Sequence, residues 1–220
     1  MLGGEFMTVQ EALMTRRSIR KFKQVPIEQE LLYEIAKTGT MAPSRGNRQA
    51  LKFVIVTNPE EVRTIFSTIQ WGCKVPHYKV FADEKRAPKA FIVVLIDREI
   101  ASHGYEYEVG ASVENILVAA HAAGLGSVWI KSFQQKTVEV LLGIQRETLK
   151  ANSIIGIGYP DQRAKIISLN KNQYTTKITK DLDLEVPKRE KNEVIFWQSI
   201  KEGSEAKENG TMSGAKEISN

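Results

Sequence analysis

Apolar positions recur along this chain in two periods, one helical and one extended. At the N-terminal end, Thr8-Val9-Gln10-Glu11 reads as a capping box, with Thr8 as N-cap and Glu11 at the third helical position. Val9, Ala12 and Leu13 follow at helical spacing, so a first helix runs into Arg16-Arg17. After Pro26, the positions Ile27, Leu31, Leu32, Ile35 and Ala36 predict a second amphipathic helix ending near Gly39. Residues 51–57 (LKFVIVT) are rich in β-branched side chains and predict a strand. Pro59-Glu60-Glu61 then opens a helix that carries Val62, Ile65, Phe66 and Ile69.

The second half repeats the alternation on a more buried scale. Residues 91–96 are apolar at every position, which suits a strand covered on both faces. The longest helical signal covers 105–123, where Val109, Val113, Ile116, Leu117, Ala120 and Ala123 fall three or four apart and Gly124 supplies the stop. This should be the central buried helix. Residues 127–131 and 153–159 read as further short strands, separated by a helix around 137–142 that ends at Gly143. Between the elements, 71–89 is of mixed polarity and reads as a lid or partner surface, and 161–186 reads as a polar arm. The basic run Lys188-Arg189-Glu190-Lys191 and the apolar Val194-Ile195-Phe196-Trp197 follow, and that apolar end must pack on something. The expected organisation is a flexible leader (1–7), one domain (8–200) that includes an arm from about 161, and a polar, disordered tail (201–220).

Composition narrows the class. With 220 residues, 42% hydrophobic and 26% charged, the chain has the make-up of a globular protein, not of a collagen or a wholly disordered chain. A lone Cys73 makes no internal disulfide, and His77, His103 and His121 share no ligand spacing with it, so no metal site is expected and a reducing cytoplasm fits. The longest apolar run is far short of the roughly 20 residues that cross a membrane. The net charge of +5 points to something anionic: nucleic acid, a membrane surface or a phosphorylated small molecule.

Two segments concentrate chemistry. Arg16-Arg17-Ser18-Ile19-Arg20-Lys21 gathers four cations within six residues beside a hydroxyl, which suits a bound phosphate and also suits a solvated helix end favoured by the macrodipole. Ala42-Pro43-Ser44-Arg45-Gly46-Asn47-Arg48-Gln49 offers the donors and acceptors that the edge of a heteroaromatic ring requires, or is an ordinary loop. Gly124-Leu125-Gly126 and Gly156-Ile157-Gly158 are too short for a dinucleotide fingerprint and read as a helix stop and a close-packed strand. His121 reads as a satisfied core histidine.

Taken in order, Arg16-Arg17-Ser18-Ile19-Arg20, then Ala42-Pro43-Ser44 with Asn47 and Gln49, then Gly110-Ala111-Ser112 through Glu114-Asn115-Ile116-Leu117 to Gly124-Leu125-Gly126, then Gly158-Tyr159-Pro160, resemble the nitroreductase family of FMN-dependent oxidoreductases. The resemblance covers about residues 8–200. It implies an α+β fold, a three-layer α/β/α sandwich on a central mixed sheet, with the C-terminal arm exchanged in a homodimer. It further implies that Arg16, Arg17 and Ser18 hold the FMN phosphate and ribityl chain, and that Arg20 lies near the pyrimidine edge. Pro43, Ser44, Asn47 and Gln49 would reach the flavin from the other subunit, although relatives usually continue Gln-Pro-Trp where this chain has Gln49-Ala50-Leu51. Ile130, Lys131 and Ser132 would lie against the N5 region, and Lys188 and Arg189 would close over the phosphate. NAD(P)H would be the electron donor and a nitroaromatic or quinone the acceptor, in a ping-pong scheme with flavin N5 as reactive centre and no catalytic side chain assigned. A specialised relative such as a reductive dehalogenase shares these features, and a basic nucleic-acid binder is the remote alternative.

Overall fold

The computed structural model describes residues 7–72, 75–170, 173–198 and 200. Cys73, residues 1–6 of the expected leader and the expected tail 201–220 lie outside them. Contacts divide the chain into two units, residues 1–164 with 178–184, and residues 165–177 with 185–220.

The first unit contains α1 (Val9–Thr15), α2 (Gln29–Gly39), β1 (Leu51–Val56), α3 (Pro59–Thr68), β2 (Ala90–Asp97), α4 (Tyr105–Ala122), β3 (Gly126–Ile130), α5 (Gln135–Leu141) and β4 (Leu149–Gly158). The expected capping box forms: Thr8 Oγ1 accepts the Glu11 N–H at 3.2 Å and Glu11 Oε2 accepts the Thr8 N–H at 2.8 Å. Asn58 caps α3 by accepting the Glu60 and Glu61 N–H groups. The segment 71–89 folds into two short 3-10 turns, Pro76–Phe81 and Glu84–Arg86.

The sheet has the order β1-β2-β4-β3, with all its strand pairs antiparallel. A parallel component enters through the bridge of Ser18 with Ser127 on β3. Because side chains alternate across a strand, β2 divides its apolar run between two cores. Phe91, Val93 and Leu95 join Val62, Ile65 and Phe66 of α3 and Val138 of α5. Ile92, Val94 and Ile96 join Leu32 and Ile35 of α2 with Val113, Ile116 and Leu117 of α4. Helices therefore cover both faces of the sheet, as the uniformly apolar 91–96 run requires, and the fold is mixed α+β. Of the stripe expected on α4, Val109 through Ala120 is buried and Ala123 is exposed.

Between Val94 and Leu95 the register with β4 slips: Val94 faces Ser153 and Leu95 faces Ala151. Asn152 is thus the extra residue of a β-bulge, left out of the ladder with β2.

The second unit carries a small sheet of order β5-β7-β6, built from Ala164–Ser168, Leu184–Lys188 and Lys177–Ile178, with strand ends at the unit boundary. These strands occupy the stretch that reads as a polar arm. Val194, Ile195, Phe196 and Trp197 are all exposed. Among the described residues no helix is long and apolar enough to cross a membrane, and no group of three or more His, Cys, Asp or Glu is placed to hold a metal ion.

Candidate functional site

The basic segment after α1 is laid down beside β3. Ile19 N–H donates to Ser127 O at 2.9 Å, and the parallel sense of the Ser18–Ser127 bridge carries Arg20 alongside the following residues of β3. This fit depends on Gly126, where a Cβ would stand 2.9 Å from the Cβ of Ile19. The buried side chain of Gln162 accepts the Arg20 N–H at 2.9 Å, and Lys21 pairs with Asp161 at 3.1 Å, so the segment is tied on its far side as well.

Within that segment the three arginines have different surroundings. Arg16 Nε donates to Glu114 Oε1 at 3.0 Å. Arg17 turns back on the chain, donating to the carbonyl oxygens of Met14 (2.9 Å) and Arg16, while its Nε is buried with no partner. Burial, followed by the neighbouring charge of Arg16, lowers the Arg17 pKa. The charge of a bound anion would offset both effects. Arg20 is more deeply placed: its guanidinium lies 4.2 Å from the centre of the Tyr78 ring, Nη1 donates to Ser18 O at 3.3 Å, and burial lowers its pKa against the opposing influence of Tyr78.

Arg20 lines a cavity of about 220 Å³ together with Trp71, Tyr78, Ile130, Lys131 and Ser132. Three of the expected flavin-contacting positions thereby join Arg20 in one place. Among the described residues no carboxylate lines this cavity, while Arg20, Lys131 and several aromatic rings do, a donor set suited to a planar, electron-rich or anionic ring. The indole N–H of Trp71 is buried without a partner. Ile130 contributes its side chain to the core. Lys131 donates to Asn152 O at 2.8 Å and to Asn152 Oδ1 at 2.7 Å, so the carbonyl released by the bulge is what holds this ammonium. Burial lowers the Lys131 pKa, and Glu106 offsets part of that.

The second loop lies elsewhere. Pro43, Ser44 and Gln49 line a cavity of about 140 Å³ with Phe53, Glu108 and Ser112, while Asn47 is exposed at the loop tip. Lys188 and Arg189 belong to the second unit, where Arg189 Nη2 donates to Tyr174 Oη at 2.8 Å. A cavity of about 250 Å³ among Ile27, Val62, Arg63, Phe66 and Lys89 is larger than either, yet contains none of the expected residues, and its Arg63 already pairs with Glu84 at 3.5 Å. Volume therefore does not identify the site.

Two residues at these cavities carry no motif signal. Tyr78 lies in the irregular 71–89 stretch. Glu108 falls four residues before Ser112 and eight before Ile116, a spacing that places it on the inward stripe of α4.

His121 shares a further cavity with Arg17 and Thr15. Thr15 Oγ1 lies 2.6 Å from Glu11 O and 2.8 Å from His121 Nε2. The single hydroxyl proton goes to the carbonyl, so a neutral imidazole donates from Nε2. Burial, then Arg16 and Arg17, hold the His121 pKa below its ordinary value. With the folded value below the unfolded one, this group's contribution to stability is full above the ordinary histidine range and declines as pH falls towards the folded value. In an NMR titration His121 is expected to titrate below about 6.5 and to move upward in Arg17→Ala. An ordinary value in the wild type would contradict the assignment of these charges.

The chain matches the sequence profile of the nitroreductase family over residues 13–159. An Archaeoglobus fulgidus protein provisionally named NADH dehydrogenase/NAD(P)H nitroreductase is 32% identical over 155 residues, which are 67% of this chain and 83% of that protein. A protein of Desulfovibrio desulfuricans, provisionally a nitroreductase and solved in complex with FMN, is 28% identical with a TM-score of 0.60, over 71% of this chain and 88% of that one. An FMN-dependent nitroreductase of Clostridium difficile is 25% identical with a TM-score of 0.61, over 86% of this chain and 98% of that one. Sequence profile, relatives and fold agree, and the chain belongs to the nitroreductase family.

Proposed function

We propose that this protein is an FMN-dependent oxidoreductase that passes hydride from NAD(P)H to an electron-poor small molecule such as a nitroaromatic or a quinone. The observation that carries the reading is the cavity in which Arg20, Lys131 and Ser132 meet aromatic side chains, with no carboxylate among the described residues that line it. The solved relative with FMN bound supports the choice of cofactor. Bound FMN would supply two-electron hydride chemistry.

In this reading, Arg16, Arg17 and Ser18 hold the phosphate and ribityl chain, with Lys188 and Arg189 as further phosphate cations. Arg17 brings to that segment a guanidinium whose charge burial and Arg16 disfavour and a phosphate would favour. Arg20 keeps a fixed positive charge beside the pyrimidine edge, where charge accumulates on reduction, and so favours the reduced form. Gln162 and Tyr78 orient Arg20 from two sides. The main chain at Ile130, Lys131 and Ser132 lies against the N5 region, and the tie to Asn152 directs the Lys131 ammonium.

The active form is a homodimer with shared sites, in which Pro43, Ser44, Asn47 and Gln49 of one subunit complete the site of the other. Two observations support this. The loop lines a different cavity from Arg20, and each cavity is smaller than the roughly 300 Å³ at which small-molecule sites begin. The exposed apolar side chains of Val9, Leu13 and Met14 on α1 and of Val194, Ile195, Phe196 and Trp197 also suit burial against a second copy. A cytoplasmic location belongs to the same reading.

The test is direct. Protein purified with FMN should be yellow and should bleach without oxygen on addition of NADH or NADPH, the colour returning with a nitroaromatic or quinone. A colourless protein that takes up no FMN overturns the proposal.

A further inference from the structure

Glu108 is an acid in an unusual position. It lies in the first turn of α4 with 6% of its surface exposed. Its Oε1 accepts the Arg45 N–H at 2.8 Å, its Oε2 is buried with no hydrogen-bond partner, and no cation pairs with it among the described residues. A buried carboxylate without a cation is costly. Its hydrogen bond goes outside α4, whose N-cap is Gly104.

What Glu108 touches is the 43–49 loop, and that loop is strained. Gly46, Asn47 and Gln49 have φ of +61°, +54° and +52°, and two of these residues are not glycine. Such conformations persist only where the surroundings enforce them. Inside the loop, Ser44 O accepts the Asn47 N–H at 2.9 Å and Ser44 Oγ accepts the Gln49 N–H at 3.1 Å. Outside it, the side chain of Arg48 reaches Ile100 O at 3.2 Å. The Arg45–Glu108 bond ties the loop's main chain to a helix. That helix is itself fixed one turn later, where Ser112 Oγ donates to Gly39 O at 2.6 Å.

We propose that Glu108 is a positioning residue, whose carboxylate holds the 43–49 loop, through the Arg45 N–H, in the strained form that presents Ser44 and Gln49. The consequence for FMN rests on the function proposed above; the anchoring itself does not.

Arg45 and Arg48 make the loop its own reporter, because trypsin cleaves after either one when the loop opens. Proteolysis of this kind tracks the open population. The experiment compares the wild type with Glu108→Ala and Glu108→Gln, measuring tryptic cleavage after Arg45 and Arg48 in FMN-free protein, cleavage at other sites, and the FMN dissociation constant. Loss of one hydrogen bond to a charged group should raise loop cleavage in Glu108→Ala by at least about tenfold beyond any rise elsewhere. Glu108→Gln retains a carbonyl acceptor and should restore the wild-type pattern. FMN should bind Glu108→Ala about tenfold more weakly and Glu108→Gln within about threefold of the wild type. Glu108→Leu, which fills the space without an acceptor, replaces Glu108→Ala if the latter does not fold. Loop cleavage that stays at the wild-type rate, that rises only in step with other sites, or that Gln does not restore overturns the anchor. Loop opening restored by Gln, with FMN affinity unchanged throughout, upholds the anchor and overturns the loop's assignment to the flavin.

Discussion

Alanine at both Arg16 and Arg17 is expected to weaken FMN binding by at least about a hundredfold, since each charge-assisted hydrogen bond contributes about 1.5–3 kcal/mol. The structure explains why the two substitutions differ in kind. Removing Arg17 takes away a guanidinium whose Nε is buried and unpartnered. Removing Arg16 also leaves the Glu114 carboxylate without its 3.0 Å partner, adding repulsion towards a phosphate. Glu114→Gln is the informative control: it releases Arg16 and should preserve or tighten FMN binding. Fluorescence titration at two ionic strengths reads each single variant, the double variant and Glu114→Gln. Wild-type affinity in the double variant would remove the phosphate from this segment.

The second large effect concerns the sheet. Phe91 is fully buried in the core between β2 and α3, and its ring would meet a Cβ at Gly156 at 3.3 Å. Truncation to Phe91→Ala leaves a ring-sized void where close packing allows little collapse, at a cost of about 3–5 kcal/mol. For a protein of this size each kcal/mol moves Tm by about 2–4 °C, so a fall of about 6–20 °C is expected in a thermal melt. A shift of under a few degrees would mean that the neighbours close the void, against the packing described for β2.

Both effects trace to features that differ in how plainly the sequence displays them. Local chemistry was easiest to read: the Thr8–Glu11 box, the apolar β2 run and the α4 stripe each carry their own period, and each formed within a few residues of its expected bounds. The stretch 161–186 offered neither alternation nor sustained apolarity. Its strands β5, β6 and β7 are short and for the most part exposed or half-buried, so no apolar period marks them in the sequence. The bulge at Asn152 was invisible for a related reason, since an extra residue becomes apparent only against the opposing strand.

At the candidate site the residue types were legible and their grouping was not. Arg20 and Ser132 are more than a hundred positions apart, and only the Ser18–Ser127 bridge explains why they line one cavity. Tyr78 shows the opposite case: nothing local distinguishes it, yet its ring lies against the Arg20 guanidinium. Glu108 stands among the apolar members of the α4 stripe, and only the 43–49 loop packed against that face distinguishes it from them.

The Ser18–Ser127 bridge has one more consequence. In the order β1-β2-β4-β3, β3 is an outer strand of the sheet, and such edges are templates for aggregation unless covered. The chain lays its arginine-bearing segment along that strand, so the stretch proposed to hold FMN also covers a sheet edge. Whatever steadies the 16–20 segment therefore also keeps β3 from recruiting a strand of another molecule, and under the proposed function bound FMN would be one such influence.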